Sequence, residues 1–343
     1  MIKIKIDIVG GGPAGLSAAI SLKKNDESIK VVLHEKHKDI GYNRSARRCG
    51  EAHTIFRELN RWEPRKNSFF NTIKKQEFII GNKKFIMPIP LHASYLLMLN
   101  RQEFIAQLGK QATKLGVQIQ TDDKIKTIND LDGDYIVDAS GCPSTIKREL
   151  KLNKGIKGIS YQQTLEDSNS FTYDTNKIFL QNFIGYYWVF PRDPTKKEIN
   201  IGVGVIGREG NLKIKLEEFK KQWGIEGKIN YEIGGLVPVG LQRPLIYHNI
   251  LFVGDTGVGT FPLNGEGIYR ALLSGEIAGR CLALRKANQY PSIINKHFIR
   301  WDVLGKSLIR TGNIVKRAGS KTFIKSLQYF FEISGFFVHK NRF

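Results

Sequence analysis

The sequence predicts a mixed α/β (α+β) fold in which a Rossmann-like dinucleotide-binding domain is interrupted by a second domain built on an antiparallel β-sheet. Three observations predict this fold. A buried strand, a glycine turn and a helix follow one another at the N-terminus, strand-like runs occupy residues 72–91 and 177–206, and a second glycine-rich turn follows a strand near residue 254. A basic helical segment is expected at the C-terminus.

The N-terminal stretch has the pattern of a dinucleotide-binding motif. A short apolar strand runs into Gly10-x-Gly12-x-x-Gly15, and an alanine-rich helix follows at once. Gly10 permits a tight turn, Gly12 lets the backbone approach a pyrophosphate, and Gly15 lets the helix and strand pack closely. The helix N-terminus favours an anion through its free N–H groups and its dipole. The candidate cofactor contacts of this motif are Gly10, Gly12, Pro13, Ala14 and Gly15.

The second predicted strand ends in an acidic residue. Glu35 lies twenty residues after Gly15, directly behind the apolar run 31–33. An acidic side chain at this distance accepts a hydrogen bond from a ribose hydroxyl, and it favours FAD or NAD over NADP. Because strand, helix and acid occur in the expected order, the motif indicates dinucleotide binding rather than a purely structural glycine turn.

The composition limits the class of protein. The chain has 343 residues, 41% of them hydrophobic, which is enough for one large or two interleaved domains. Cys49, Cys142 and Cys281 are widely spaced and form no CxxC motif. We therefore expect no disulfide framework and no metal site, and a reducing, cytoplasmic compartment fits. The cofactor strand begins too early for an N-terminal signal peptide, and no apolar run reaches the length of about eighteen residues that a membrane span needs.

The formal net charge of +21 implies an acidic partner, which is a nucleic acid, an anionic membrane or an anionic substrate. No RNA- or DNA-binding motif accompanies this charge, so we expect no nucleic-acid partner. A lysine-rich solvated surface is the alternative explanation for much of the excess.

A polar loop, residues 41–54, follows the second strand. Its arginines Arg44, Arg47 and Arg48 are candidates to neutralise cofactor phosphates or an anionic headgroup. Cys49 follows two of them directly, and nearby positive charge activates a thiol, so Cys49 is the cysteine best suited to react. The alternative for Cys49 is a small buried apolar residue.

A helix is predicted from Arg101, with Asn100 as its N-cap and Glu103 as the capping-box partner. Its predicted buried face consists of Phe104, Ile105, Leu108, Ala112 and Leu115. Arg101, in the first turn, is either a cofactor contact or a solvated side chain. Residues 134–141 form a strand that ends in a turn at Gly141 and returns the chain to the nucleotide-binding domain.

Two alternating strands are predicted within residues 177–206. In the first, Tyr186, Trp188 and Phe190 share one face by the period of two. In the second, alternation places four β-branched residues on one face: Ile199, Ile201, Val203 and Val205. The aromatic face is either the core of a sheet or the wall of an apolar substrate cavity.

The second glycine-rich turn follows the strand at residues 251–253. It contains Gly254 and Asp255, and residues 261–268 lead from it into a helix. Glycines before a helix start permit close backbone approach to an anion or a flat ring.

The segment 302–343 is basic and aromatic. Its basic residues are Lys306, Arg310, Lys316, Arg317, Lys321 and Lys325, and a predicted apolar helical face consists of Phe323, Leu327, Phe330, Phe331, Phe337 and Val338. Such a helix either lies on a membrane surface or docks on the protein core.

Three of these motifs, in this order, resemble the FAD-dependent enzymes of the p-hydroxybenzoate hydroxylase fold. They are the N-terminal glycine motif, residues 137–141, and the pair Gly254-Asp255. The resemblance implies that Asp255 holds the ribityl and pyrophosphate part of FAD and that residues 262–268 line the isoalloxazine ring. It also implies a discontinuous FAD-binding domain of residues 1–70, 98–150 and 247–290, a substrate domain of residues 71–97 and 151–246, and a C-terminal helical segment 291–343.

Within that fold, residues 1–285 resemble the geranylgeranyl reductases, especially the archaeal enzymes that saturate membrane-lipid chains. Arg48-Cys49-Gly50-Glu51 is similar to their cysteine loop beside the flavin, residues 186–191 to their Tyr-x-Trp-x-Phe-Pro substrate motif, and residues 261–269 to their flavin-facing turn. The chain departs from the family at Phe183, where proline is common, and at Arg192, where lysine is common.

The resemblance assigns the site residues. Cys49 is the candidate catalytic residue, and the candidate substrate contacts are Tyr186, Trp188, Phe190 and Pro191. Besides the residues of the N-terminal motif, the candidate FAD contacts are Glu35, Arg48, Cys49, Arg101, Gly141, Gly254, Asp255, Pro262, Gly265, Gly267 and Ile268.

The function that these features favour is FAD-dependent reduction of isoprenoid double bonds in geranylgeranylated lipids, at the cytoplasmic face of an anionic membrane. Ferredoxin, a reduced nicotinamide or a deazaflavin all fit as electron donor. A flavin-dependent hydroxylase is an alternative, but the long aromatic face and the missing second nucleotide motif weigh against it. A non-enzymatic prenyl-lipid carrier is another alternative, and it would not need intact flavin motifs.

Overall fold

A computed structural model describes residues 4–41, 49–56, 62–89, 95–207, 209–333 and 339–342. Arg44, Arg47 and Arg48, and also Phe337 and Val338, lie outside the described residues, so the predictions made for them stay predictions. The helices are α1 Pro13–Asn25, α2 Arg101–Lys114, α3 Thr145–Glu149, α4 Leu212–Trp223, α5 Ile268–Ala283, α6 Tyr290–Arg317 and α7 Ser320–Ile333.

The first sheet holds the glycine motif. Its strands are β1 Lys5–Val9, β2 Lys30–His34, β8 Gln118–Gln120, β9 Tyr135–Asp138, β15 Ile246–Tyr247 and β16 Ile250–Phe252. Their order is β15-β16-β9-β1-β2-β8, parallel throughout except for the edge pair β15 and β16. The chain reverses its direction of winding beside β1, so the carboxyl ends of β1, β9 and β16 meet at the crevice where such sheets bind ligands.

The second sheet interrupts the first along the chain. Its strands are β5 Lys75–Ile80, β6 Lys83–Pro88, β10 Lys157–Glu166, β11 Thr175–Leu180, β12 Gly185–Pro191, β13 Ile199–Ile206, β14 Lys228–Pro238 and β17 His339–Arg342. Their order is β14-β10-β13-β12-β11-β5-β6-β17, antiparallel except between β11 and β5. The predicted interruption of a Rossmann-like domain by an antiparallel sheet is therefore confirmed.

The strands of a small third sheet follow β2 and lie on both sides of β5 and β6 along the chain. It consists of β3 Ala52–Ile55, β4 Phe69–Ile73 and β7 Tyr95–Leu99, in the order β3-β7-β4. Buried residues of β4 and β7 form one apolar cluster with Trp188 and Phe190 of β12. The third sheet thus covers the aromatic face of the second.

The strand alternation predicted for β12 and β13 is confirmed. Tyr187 and Val189 point into the core on the α4 side, together with the four β-branched residues of β13. Trp188 and Phe190 belong to the opposite cluster, which faces the third sheet. The period of two therefore separates a packed core face from the aromatic face.

Helix α1 packs closely against α5 because small residues line both helices. A Cβ atom on Gly275 would lie 2.1 Å from Ala14 O, and one on Gly279 would lie 2.4 Å from Ala18 O. This close approach brings the N-terminus of α1 and the turn before α5 to the same crevice.

The C-terminal helices dock on the body of the protein. Phe323 of α7 is buried, and the ring centroid of Phe331 lies 5.3 Å from that of Phe78 and 5.4 Å from that of Phe85, on the second sheet. Phe330, by contrast, is exposed. Positions 323, 327, 330 and 331 have the i, i+4, i+7, i+8 spacing of one wide helical face, and Phe330 lies at its solvent-facing edge. No helix among the described residues is long and apolar enough to span a membrane.

Candidate active site

The glycine turn after β1 has the geometry that its three glycines require. Gly10 has φ +108°, and a Cβ there would lie 2.4 Å from Ala139 O. A Cβ on Gly15 would lie 2.0 Å from Gly10 O, whereas one on Gly12 would meet nothing within 4 Å. Two glycines are thus needed for packing within the protein, and Gly12 leaves open space at the start of α1, where a pyrophosphate is expected.

Glu35 is buried directly after β2 and supports this turn. Its Oε2 accepts a hydrogen bond of 2.7 Å from Gly11 N–H, and its Oε1 accepts one of 2.9 Å from His37 N–H. The carboxylate is therefore fixed beside the glycine turn. Its predicted contact with a ribose hydroxyl stays a prediction.

Cys49 and Arg101 meet at the mouth of the crevice. Arg101 Nη1 donates to Cys49 Sγ at 3.2 Å, and Glu51 N–H donates to the same sulfur at 3.4 Å. Burial opposes the charge of Arg101, but its interactions with Cys49, Glu51 and Asp255 outweigh burial and raise the pKa of the guanidinium. Arg101 Nε is buried without a hydrogen-bond partner among the described residues. The guanidinium thus still offers a donor to a ligand.

A buried ionic network supports the Cys49 loop. Arg192 Nε donates to Glu51 Oε2 at 2.5 Å, and Arg192 Nη1 donates to Glu198 Oε2. Asn200 Nδ2 donates to Glu51 Oε2 at 2.9 Å and to Cys49 O at 3.1 Å. Glu51 adopts φ +57°, a left-handed conformation that is uncommon for a residue with a Cβ. The network holds this conformation from the substrate-domain side.

Sequence reasoning missed the role of this network. Arg192 stood out only as a departure from the family pattern, and Glu51 only as a member of the cysteine loop. Their pairing joins positions 141 residues apart, so no local spacing signalled it. The available signal was that three strongly polar residues, Arg192, Glu198 and Asn200, flank an otherwise apolar strand pair.

The aromatic face of β12 packs beside the Cys49 loop. A Cβ on Gly50 would lie 3.2 Å from Phe190 Cε2, and Trp188 Nε1 donates to Gln162 Oε1 at 3.3 Å. The Tyr186 hydroxyl donates to Asn264 O at 2.5 Å. Burial, together with the interactions of Tyr186 with Glu266 and Cys49, raises the pKa of Tyr186, so its hydroxyl stays protonated. Pro191 ends the same strand and is buried.

The second glycine turn approaches both the aromatic face and the glycine motif. A Cβ on Gly254 would lie 2.7 Å from Ala14 Cβ, and one on Gly265 would lie 2.9 Å from Tyr186 Oη. A Cβ on Gly267, directly before Ile268, would lie 3.7 Å from Asp255 Oδ1. Burial raises the pKa of Asp255, although Arg101 opposes this effect. Pro262 packs against α6, since a Cβ on Gly305 would lie 2.5 Å from Pro262 Cβ.

Glu266 is a second residue of the site that sequence reasoning missed. Thr54 N–H donates to its Oε1 at 2.9 Å, and the Thr54 hydroxyl donates to its Oε2 at 3.0 Å. Burial raises the pKa of Glu266 to about 7, although both hydrogen bonds from Thr54 lower it. A polar residue between two glycines resembles ordinary turn composition, so only its place inside a flavin-facing turn could have drawn attention to it.

The residues of the site fit a flavin dinucleotide. Gly12 and Gly141 both face open space, as a bound pyrophosphate and ribityl chain require. Arg101 offers an unused buried donor, and the Asp255 carboxyl lies in the second glycine turn, where its Oδ1 is 3.7 Å from a Cβ atom placed on Gly267. The described part of the predicted site is thus brought together around one crevice, with Cys49 and the aromatic face at one end.

Comparison with known proteins agrees with this geometry. Residues 8–57 match the model of the NAD(P)-binding Rossmann-like domain family. Over 329 aligned residues the chain is 26% identical to the digeranylgeranylglycerophospholipid reductase of Methanococcus vannielii, covering 86% of this chain and 81% of that protein. The resemblance to the geranylgeranyl reductases is confirmed. This resemblance extends well beyond the glycine motif, into the sheet that contains the aromatic face.

Solved structures establish the fold. A geranylgeranyl bacteriochlorophyll reductase-like protein from Thermoplasma acidophilum superposes with a TM-score of 0.82 at 20% identity, covering 96% of this chain and 92% of that one. A triple mutant of a flavin-dependent brominase superposes with a TM-score of 0.64 at 17% identity, covering 96% and 88%. The chain therefore shares the fold of flavin-dependent enzymes and of the geranylgeranyl reductase-like protein.

Proposed function

We propose that this protein is an FAD-dependent reductase that saturates isoprenoid double bonds in the geranylgeranyl groups of a membrane lipid. The observation that supports it most directly is the junction of Cys49, the aromatic face and the flavin-facing turn in one crevice, with Tyr186 hydrogen-bonded to Asn264 O at 2.5 Å. An apolar, aromatic wall suits a prenyl chain, which offers no polar group for recognition.

The bound flavin would supply a hydride equivalent once it has been reduced. The residues of this chain would bind the cofactor, exclude water and orient the alkene. The turn at Gly10 to Gly15 binds the pyrophosphate, Asp255 binds the ribityl part, and residues 262–268 support the ring. The aromatic face excludes water and orients the alkene, and its ring quadrupoles stabilise positive charge on a tertiary carbon.

Cys49 is proposed to lie beside the reacting groups. Its sulfur faces the Arg101 guanidinium and the Glu51 N–H, at 3.2 Å and 3.4 Å, and therefore acts as a hydrogen-bond acceptor there. Arg192 and Asn200 hold the loop in place through their hydrogen bonds to Glu51. This arrangement fixes the sulfur at the crevice mouth without exposing it fully.

The decisive test is a mass measurement on the lipid product. Purified protein reduced with dithionite is incubated with geranylgeranylated glycerophospholipid, and the product is expected to gain two hydrogens for each bond reduced. Protein that purifies without flavin absorbance would favour a prenyl-lipid carrier. Protein that consumes reduced nicotinamide and oxygen while it hydroxylates an aromatic compound would favour a hydroxylase.

Peripheral association with an anionic membrane is part of the same proposal. Helix α6 exposes the apolar residues Trp301, Val303, Leu304 and Ile314, and it also exposes the basic residues Arg300, Arg310 and Arg317. Gly305 of this helix packs on Pro262 and Leu263, so the exposed surface adjoins the flavin-facing turn. A lipid substrate thus has a short path from the membrane to the site.

Co-sedimentation with vesicles tests this association. Each basic residue near an anionic surface contributes about 1 kcal/mol, so Arg310→Glu combined with Arg317→Glu is expected to weaken binding strongly at low salt. The same exchange at the exposed lysines Lys24 and Lys110, on α1 and α2, is the matched control. Equal binding to neutral and anionic vesicles would contradict the electrostatic part of the proposal.

A further inference from the structure

The turn before α5 contains a carboxyl group that packing does not explain. Glu266 is flanked by Gly265 and Gly267, yet its side chain is turned inward and held by Thr54 of β3, through the backbone N–H at 2.9 Å and the hydroxyl at 3.0 Å. Because β3 begins three residues after Cys49, these bonds fix the carboxyl between the flavin-facing turn and the Cys49 loop.

A buried imidazole lies next to this carboxyl group. His53 is 1% exposed, and its Nδ1 lies 3.9 Å from Glu266 Oε1, without a hydrogen-bond partner among the described residues. Burial lowers the pKa of His53 to about 3, so the ring is neutral near pH 7 and supplies no positive charge to the carboxylate. At 3.9 Å the unpaired ring nitrogen faces the carboxyl without forming a hydrogen bond to it.

The other charged groups around the turn do not neutralise Glu266. Tyr186 directs its hydroxyl to Asn264 O, and Asp255, near Gly267, is itself acidic. Arg101 donates to Cys49 Sγ instead. Among the described residues no cation contacts Glu266, and burial raises its pKa to about 7. Near neutral pH the group therefore holds a proton in a large fraction of molecules.

We propose that Glu266 is the proton donor in the reduction of the prenyl double bond. This inference rests on the proposed function. The Oε–H bond breaks as a C–H bond forms on one alkene carbon, and the hydride supplied by the reduced flavin completes the other carbon. The two additions together convert the alkene to the alkane, and the carboxylate regains its proton from water.

The surroundings of Cys49 support the choice of Glu266. The sulfur accepts from Arg101 and from Glu51 N–H, so both groups that face it are donors. Protonation of a trisubstituted alkene leaves positive charge on its tertiary carbon, and a neighbouring guanidinium repels that charge. The carboxylate left on Glu266 attracts it, and Tyr186 offers its ring face on the same side of the crevice.

The first test compares Glu266→Gln with wild-type protein in single turnovers with dithionite-reduced enzyme. Gln keeps the size of the side chain and the acceptor for Thr54 N–H, so the flavin is expected to stay bound and reducible. Product formation is expected to fall by about 100-fold or more, the usual contribution of a general acid, and to lose its dependence on pH. Wild-type product formation is expected to decline above the pKa of about 7.

Thr54→Val is expected to shift the pH dependence of product formation, which a merely structural role of Glu266 would not cause. Removal of the hydroxyl that donates to Glu266 raises the pKa of the carboxyl further, so the alkaline decline is expected to move to higher pH. Thr54→Ser keeps the hydroxyl and is the matched control, in which the decline is expected to stay where wild type has it.

Infrared spectroscopy provides a readout without turnover. The carbonyl band of protonated carboxyl groups is expected to weaken between about pH 6 and about pH 8 in wild-type protein. This change with pH is expected to be missing from Glu266→Gln. If Glu266→Gln forms product as fast as an active wild type, this proposal is overturned while the proposed function stands. The same holds if Cys49→Ala loses the decline in product formation at alkaline pH. If the wild type reduces no prenyl chain, the proposed function fails, and this proposal fails with it.

Discussion

Arg192 Nε lies 2.5 Å from Glu51 Oε2, and this buried ion pair sits directly beneath the loop that contains Cys49. Glu198 accepts a further hydrogen bond from Arg192, and Asn200 Nδ2 donates to Cys49 O at 3.1 Å. The position of the Cys49 loop therefore depends on residues of the second sheet. Four polar side chains that are nearly closed to water connect this sheet to the loop.

Arg192→Met is expected to destabilise the protein by about 3–5 kcal/mol, because it leaves two buried carboxylates without their cation. Equilibrium denaturation monitored by circular dichroism measures the change. Lys196→Met breaks the exposed pair with Glu166, whose atoms are 3.1 Å apart, and is the matched control with an expected effect below about 1 kcal/mol. Equal effects of the two substitutions would show that the buried pair does not support the fold.

Asp255→Ala is expected to weaken flavin retention. The carboxyl belongs to the second glycine turn, and in the proposed function it accepts hydrogen bonds from the middle of the cofactor. The measurement is the ratio of flavin to protein absorbance after gel filtration. Asp26→Ala, which removes a surface partner of Arg285, is the control. Full occupancy and unchanged activity in Asp255→Ala would remove the role assigned to Asp255.

Cys49→Ala is expected to keep its flavin, because the sulfur belongs to no packed core. It is expected to lose most alkene reduction, because the proposed function places the sulfur beside the reacting groups. Trp188→Ala removes a ring from the cavity wall and is expected to change the preference for prenyl chain length. Product analysis over a series of prenyl lipids measures both. Full activity of Cys49→Ala on a geranylgeranyl lipid would exclude Cys49 as an essential participant.

Local patterns in the sequence were enough to predict the strands, the helix cap and the glycine turn that surround the site. The alternation in β12 separates Tyr187 from Trp188 as expected, and Asn100 caps α2 by accepting a hydrogen bond of 3.5 Å from Glu103 N–H. The glycine motif has the predicted geometry because its requirements are local: a positive φ at Gly10 and close packing at Gly15.

Contacts between distant parts of the chain were beyond these patterns. Glu51 and Arg192 pair through the folding of two sheets against each other, and Glu266 meets Thr54 across 212 positions. The polar residues near Arg192 stand out in an apolar strand pair, but nothing in the local sequence identifies the partner of Arg192 or of Glu266. The docking of α7 was open for a similar reason, since a basic amphipathic helix has the same pattern on a membrane and on a sheet.

The pH dependence of stability is expected to include a contribution from His34, at the end of β2. Its Nδ1 lies 2.7 Å from Asp123 Oδ2, and its Nε2 lies 3.4 Å from Asp7 Oδ1. Burial lowers the pKa of His34, but the two aspartates outweigh burial and raise it above the ordinary value of 6.5. The folded state therefore binds this proton more tightly than the unfolded state does.

The sign of the effect follows from this shift. The stabilisation is fully present below the unfolded-state value of 6.5 and is lost as the pH rises through the higher folded-state pKa. The free energy of unfolding of wild type relative to His34→Asn is therefore expected to be largest at acidic pH and to shrink as the solution becomes alkaline. Denaturation series at several pH values measure it, with His297→Asn on the exposed surface as the control. A difference between wild type and His34→Asn that stays constant with pH would mean that the two aspartates do not hold the proton on His34.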